Sequence, residues 1–251
     1  MIEFDGVTKL FGTRAVLDDV SFKIEAGETF VIVGLSGAGK SVTLKHMVRL
    51  IEPDEGRIWI DGECVSEARG KSLEAIRARF GLLFQSAALM QWMSVTDNVA
   101  LPLRERMKLQ EDEVSKRVAE KLALVNLSEA GGKYPSEISG GMKKRVGLAR
   151  AIVTHPEIVL YDEPTSGLDP VTSRTIDGLI DNMRTDLGVT NVVVTHDLHS
   201  ALAIGTRIAM LHNGKIIENS PPEQFIQSKN KIVQSFLEAQ YITKAGVWET
   251  T

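Results

Sequence analysis

The chain has 251 residues, 43% of them hydrophobic and 25% charged, with 29 Lys and Arg against 33 Asp and Glu and a net charge of -4. That is too apolar for a disordered chain and too acidic for a protein that coats nucleic acid by bulk charge, though it leaves room for a local basic patch. The single cysteine, Cys64, excludes an internal disulfide and a cysteine-built zinc site, which fits a reducing, cytosolic compartment.

The chain starts Met1-Ile2-Glu3-Phe4-Asp5, acidic and without the apolar run of a secretory leader. Strand patterns follow at 20–24 and 57–60, which alternate, and at 29–33, a continuous apolar run. Gly27 and Asp61-Gly62 supply turns between them. A helix is expected over about 41–50. From about 86 to 155 the chain reads as helical, with apolar residues at helical spacing among charges over 114–125. Apolar runs at 158–161 and 191–195 then bracket a helix over about 171–187. Strands covered on both faces read as such runs, so a parallel sheet is predicted. Pro221-Pro222 opens a tail with helical patterning to about 240. No segment approaches the roughly 18 apolar residues of a membrane helix, and no internal repeat is visible. The expectation is a chain that does not span a membrane but can dock onto a protein that does.

Gly34-Leu35-Ser36-Gly37-Ala38-Gly39-Lys40-Ser41 fits a phosphate-binding loop. Glycines let the backbone curl so that successive N–H groups face one point, and the helix that follows, with Val42 in its first turn, aims its positive end there. Lys40 is placed to reach β- and γ-phosphates, and the Ser41 hydroxyl to ligate Mg²⁺. The strand over 158–161 ends in Asp162-Glu163. In a parallel sheet ligands lie beyond the carboxyl ends of strands, which brings both acids to the same loop. Asp162 is the candidate Mg²⁺ holder and Glu163 the candidate base for an attacking water. His196, just past the next run, arrives at the same edge, where it can hydrogen-bond a phosphate or the water.

Ile138-Ser139-Gly140-Gly141-Met142 is by itself a helix cap with a turn. In order after the phosphate loop, and before Asp162-Glu163-Pro164 and Ser166-Gly167-Leu168-Asp169, it resembles the signature of ABC (ATP-binding cassette) transporter nucleotide-binding subunits, from about residue 2 to 222. The resemblance implies an α/β P-loop NTPase (RecA-like) core with an N-terminal antiparallel β-subdomain and an inserted helical subdomain. Residues 1–85 and 156–222 would form the core, 86–155 the helical signature subdomain, and 223–251 a helical tail. It implies that Phe11 stacks on adenine, that Gln85 completes the Mg²⁺ shell and senses the membrane subunit, and that His196 is the switch histidine. Ser139, Gly140 and Gly141 would bind the γ-phosphate of ATP held by a second copy, with Asp169 linking the two sites. A C2 homodimer sandwiching two ATPs follows, since a signature on the insert cannot reach its own phosphate loop. ATP favours the closed dimer and hydrolysis opens it.

The signature departs from the usual Leu-Ser-Gly-Gly-Gln at Ile138 and Met142, and the latter removes an amide. Lys143-Lys144-Arg145 then either reach phosphate or an acidic partner surface, or form a solvated face. Three segments narrow the family further: Phe84-Gln85-Ser86-Ala87-Ala88-Leu89, the run from Asp97 to Glu105, and Pro135-Ser136-Glu137 leading into the signature. Together they resemble the ATPase of Mla/Mce-type phospholipid transporters, in bacteria and chloroplasts. The alternative is the ATPase of an importer for amino acids or other small solutes. The implied partners are a membrane permease docking near Gln85, an Mce-domain lipid carrier and a STAS-type regulator, with the chain peripheral on the cytoplasmic face of the inner membrane. Nucleic acid is not an expected partner, because the chain lacks both the long coiled-coil insert and the zinc cysteines of DNA-acting relatives. Trp248 is either a partner anchor or part of a disordered end.

Overall fold

The structure, a computed structural model, describes residues 1–107 and 109–240. The chain opens with β1 (Ile2–Phe11), β2 (Arg14–Ile24), β3 (Thr29–Val33) and α1 (Lys40–Met47), followed by β4 (Glu55–Ile60), β5 (Glu63–Cys64), α2 (Gly70–Ala78) and β6 (Phe80–Leu83). Three helices follow, α3 (Val95–Arg106), α4 (Glu111–Leu124) and α5 (Gly140–Ile152). The remainder runs β7 (Ile158–Asp162), α6 (Pro170–Leu187), β8 (Thr190–Thr195), α7 (Leu198–Ile204), β9 (Arg207–His212), β10 (Lys215–Ser220), α8 (Pro222–Ile226) and α9 (Lys231–Glu238).

Two sheets result. An antiparallel sheet is ordered β2-β1-β4-β5, and a larger sheet is ordered β10-β9-β3-β8-β7-β6. In the second, β3 pairs in parallel with β8 and β9, β8 with β7, and β7 with β6. Every residue of β3 and of β8 is buried, which is why each carries a continuous apolar stretch, 30–33 and 192–194, in place of alternation. Alternate side chains of β3 enter different cores. Val31 and Val33 pack with α3 to α7, while Phe30 and Ile32 pack with α1 and the antiparallel sheet.

The helical stretch folds around the apolar stripe of α4, where Val114, Val118 and Leu122 recur every fourth residue and are buried. It shares one continuous cluster with the sheet. The expected helix over 41–50 stops at Met47, because Arg49 turns left-handed with φ 50° and the Leu50 N–H returns to the Lys45 carbonyl at 2.8 Å. The single helical tail pattern is two helices. Asn230 breaks it by capping α9, its side chain accepting the Ile232 N–H at 3.0 Å. Val233, Phe236 and Leu237 of α9 bury into the larger core. Trp248, with residues 241–251, lies outside the described residues. Among the described residues, no helix is long and apolar enough to cross a membrane.

Candidate active site

The loop from Gly34 to Gly39 joins β3, an interior strand between β9 and β8, to α1. Two glycines are required by close approach. A Cβ at Gly34 would collide with the Leu211 carbonyl, and one at Gly39 would lie 2.8 Å from the Val16 carbonyl, with φ 107° besides. The first N–H groups of α1, from Lys40 to Val42, have no acceptor within the helix, and no acidic side chain occupies that turn. Lys40 is buried and folds back over the loop, its Nζ donating to the Gly34 carbonyl at 2.8 Å and the Leu35 carbonyl at 3.2 Å. The arrangement is a concave ring of donors with a fixed cation at its rim, suited to a polyphosphate. Leu35, Ser36, Gly37 and Ala38 line a cleft with Arg14, Val16 and His212. Ser36, Gly39, Lys40, Ser41 and Val42 line an adjoining one with Gln85 and Glu163.

The register Asp162↔Val194 between β7 and β8 brings Asp162, Glu163 and His196 to one edge of the sheet, with Glu163 on the wall of that second cleft. The Ser41 hydroxyl donates to Asp162 Oδ1 at 2.7 Å. Glu163 follows with a left-handed φ of 49°, and its N–H donates to the Val194 carbonyl at 2.9 Å. Its Oε1 lies 3.4 Å from Lys40 Nζ, and its Oε2 lies 2.8 Å from His196 Nδ1. His196 is otherwise exposed, and it lines a neighbouring cleft with Leu35, Ser36, Gln85 and Glu163. A buried carboxylate clamped between a lysine and an imidazole can polarise a water beside a phosphate.

The remaining expected residues lie further out. Phe11 ends β1, half exposed, opposite Arg14 in the hairpin register and 5.8 Å from Lys9 Nζ. Ser139 caps α5, its Oγ accepting the Met142 N–H at 3.2 Å, and neither it, Gly140 nor Gly141 lines the phosphate-loop clefts. A Cβ at Gly141 would meet Thr172 Cγ2 at 2.5 Å, so this glycine lets α5 press on α6. Asp169 caps α6 through the Val171 and Thr172 N–H groups, both at 3.0 Å. The Thr172 hydroxyl bonded to it holds its carboxyl below the usual range.

Four side chains bond to main-chain groups that no motif pairs them with. Lys144 was open to phosphate contact, partner contact or solvation, yet it is buried, its Nζ donating to the Glu163 carbonyl at 2.8 Å. Burial pulls its pKa down to about 8, against the opposing pull of Asp162 and Glu163. The signal was its position, three after Gly141 and four before Leu148 on the buried stripe of α5. Arg145 donates to the Val125 and Asn126 carbonyls at 3.1 and 3.2 Å, after the end of α4. Gln240 bridges the switch segment, accepting the Leu198 N–H and donating to the His196 carbonyl, each at 2.8 Å. Asn98, fully buried in α3, holds the loop after Gln85 through Met90 and the Met93 carbonyl. No local pattern marks either of the last two.

The fold and this loop define a P-loop nucleotide hydrolase. The family model described as ABC transporter matches residues 17–166. The chain is 43% identical over 248 residues to the probable ribonucleotide transport ATP-binding protein mkl of Mycobacterium tuberculosis, covering 99% of this chain and 69% of that protein. It is 38% identical over 242 residues to the methionine import ATP-binding protein MetN of Desulfitobacterium hafniense, covering 94% of this chain and 71% of that one. Among solved structures, the dimeric post-hydrolysis state of the ATP-binding cassette MJ0796 bound to ADP and Pi superposes with a TM-score of 0.81 at 33% identity, covering 88% of this chain and 99% of that one. The chain belongs to the ABC transporter family, as an ATP-binding subunit that hydrolyses ATP.

Proposed function

We propose that this chain powers a membrane permease that moves phospholipid between membranes, hydrolysing ATP at the cleft between α1 and the ends of β7 and β8. The observation that carries the catalytic part is the placement of Glu163, with one oxygen toward Lys40 and the other on His196. The triphosphate lies in the Gly34–Gly39 nest with Lys40 on its terminal phosphates, and adenine stacks on Phe11. Glu163 accepts a proton from the attacking water, and His196 steadies that water or the γ-phosphate. Gln85, on the wall of the same cleft, couples it to the permease.

The residues fit Mg²⁺. Among the described residues no group of three or more His, Cys, Asp or Glu forms a metal cage, whereas Ser41 and Asp162 pair one hydroxyl with one carboxylate. That is the sparse protein contribution Mg²⁺ takes when phosphate oxygens and water complete its shell, with Gln85 beside it. Bound there, the ion would neutralise charge developing on the γ-phosphate.

The signature acts in trans: Ser139, Gly140 and Gly141 at the start of α5 close on ATP held by a second copy, and Asp169 links the sites. The dimeric cassette MJ0796 supports this reading. Phospholipid as cargo rests on the likeness of 84–89, 97–105 and 135–142 to Mla/Mce-type ATPases. All three contribute to one hydrophobic cluster, through Ala87 and Leu89, Val99 and Leu103, and Ile138. Arg150 of α5 donates to the Ala87 and Ala88 carbonyls, and Asn98 of α3 fixes Met90, shaping a loop that exposes Phe84 and Trp92 to a permease. The named similarity to a methionine importer favours a second reading, a small-solute importer. Capture of the chain from its own membranes in gentle detergent separates the two. Co-recovery of a permease, an Mce-domain protein, any STAS-type regulator and phospholipid is expected. A permease with a solute-binding protein would overturn the lipid assignment and leave the ATPase standing.

A further inference from the structure

Lys144 lies five residues beyond Ser139 on α5 and is 5% exposed. An ammonium is costly to bury, and an apolar side chain of similar length would pack here without that cost. The charge is spent on a single hydrogen bond in a telling place, the main-chain carbonyl of Glu163 at 2.8 Å. Glu163 has a left-handed backbone that carries a Cβ, a conformation held only where its surroundings fix it. Its N–H is tied to β8 through Val194, its carboxylate to Lys40 and His196, and its carbonyl also accepts the Ser166 N–H at 3.2 Å. Lys144 adds the tie to the helical insert. The same helix begins at the signature, and five residues of α-helix form a stiff strut of about 7.5 Å. A shift of α5 at Ser139 therefore reaches the Glu163 backbone without a flexible joint.

We infer that Lys144 is a positioning residue that couples the two nucleotide sites of a dimer: nucleotide engaging Ser139 from a second copy moves α5, and Lys144 sets Glu163 over this chain's own phosphate loop. The inference rests on the readings of Glu163 as base and of the signature as acting in trans. Such coupling is a difference in free energy between the sites and shows as cooperative hydrolysis. Burial also lowers the pKa of this lysine, the sign of a charge placed where it is costly to hold.

The test is ATP turnover against ATP concentration in the full chain carrying Lys144→Met or Lys144→Gln, with MgATP affinity measured separately by equilibrium binding. Lys144→Met, of similar length and without a donor, is expected to lower kcat about tenfold or more, since small misplacements of catalytic groups cost that much. Its Hill coefficient is expected to fall to about one, with the MgATP dissociation constant unchanged. Lys144→Gln keeps an N–H one atom short and is expected between Lys144→Met and wild type. Wild-type turnover in Lys144→Met, or in Lys144→Gln should Lys144→Met not fold, overturns the inference. So does a loss of MgATP affinity that matches the loss of turnover, the mark of a merely structural role. Glu163→Gln in parallel separates the claims: wild-type turnover there overturns the base assignment, whereas wild-type turnover in Lys144→Met beside an inactive Glu163→Gln overturns only the coupling.

Discussion

Glu163 and His196 meet side chain to side chain, Oε2 to Nδ1 at 2.8 Å, although 33 positions separate them in the chain. The contact follows from topology: β7 and β8 are adjacent and parallel, so their carboxyl ends deliver both residues to one edge. The His196 N–H points at the same oxygen from 3.3 Å. If the imidazole orients that carboxylate, His196→Ala should lower turnover by about 10²-fold, as for other acid–base partners. MgATP affinity should hold, because the nest and Lys40 are untouched. Steady-state kinetics with equilibrium binding checks this; equal losses of both would place His196 in binding instead.

Lys40 donates to two loop carbonyls and faces Glu163. Lys40→Ala removes the cation and leaves the loop carbonyls without that donor. Charge-assisted contacts contribute about 1.5–3 kcal/mol each, so MgATP affinity should fall about 10²-fold or more. Titration calorimetry reads this directly, and unchanged affinity would contradict the loop's role.

Gly39→Ala tests the nest geometry. A Cβ would lie 2.8 Å from the Val16 carbonyl at φ 107°, and both clash and strain involve backbone. A destabilisation of about 1–3 kcal/mol is expected in thermal or denaturant unfolding, together with loss of nucleotide binding. A variant as stable as wild type that still binds would show that the loop yields there.

Lys144 gives a pH dependence whose sign is fixed. Below about 8 it is charged in folded and unfolded chains alike, and the cost of burying the charge is fully present. Between about 8 and its ordinary 10.5 the folded chain has released the proton and the unfolded chain has not, so stability from this group rises with pH. The Tm difference between wild type and Lys144→Met should therefore shift in favour of wild type across that window. A flat difference would mean the lysine is not held charged in a buried site.

Much of this site was legible in the sequence because its chemistry is local. The phosphate loop, Asp162-Glu163 and the apolar run of β8 each state a position along one strand or turn, and the parallel sheet brings the ends together. What stayed hidden is pairwise. Nothing in the run of β3 says that β9 will be its second neighbour, and β10, half exposed with alternation broken by a register shift, shows no strand pattern. Phe80-Gly81-Leu82-Leu83 is too short to stand out, and Gly81 is needed only because the Ala151 carbonyl presses on it. Lys144 and Gln240 act through main-chain groups of distant segments, which residue type alone does not announce.

The central claim is that Glu163 is the base of an ATP-hydrolysing cleft, and single-turnover hydrolysis of MgATP by Glu163→Gln beside wild type tests it most directly. The amide keeps the shape and cannot take the proton. Hydrolysis should slow by about 10²-fold or more, while MgATP still binds and accumulates in a dimer visible by size-exclusion chromatography. Hydrolysis at the wild-type rate, with no accumulated dimer, would contradict the account.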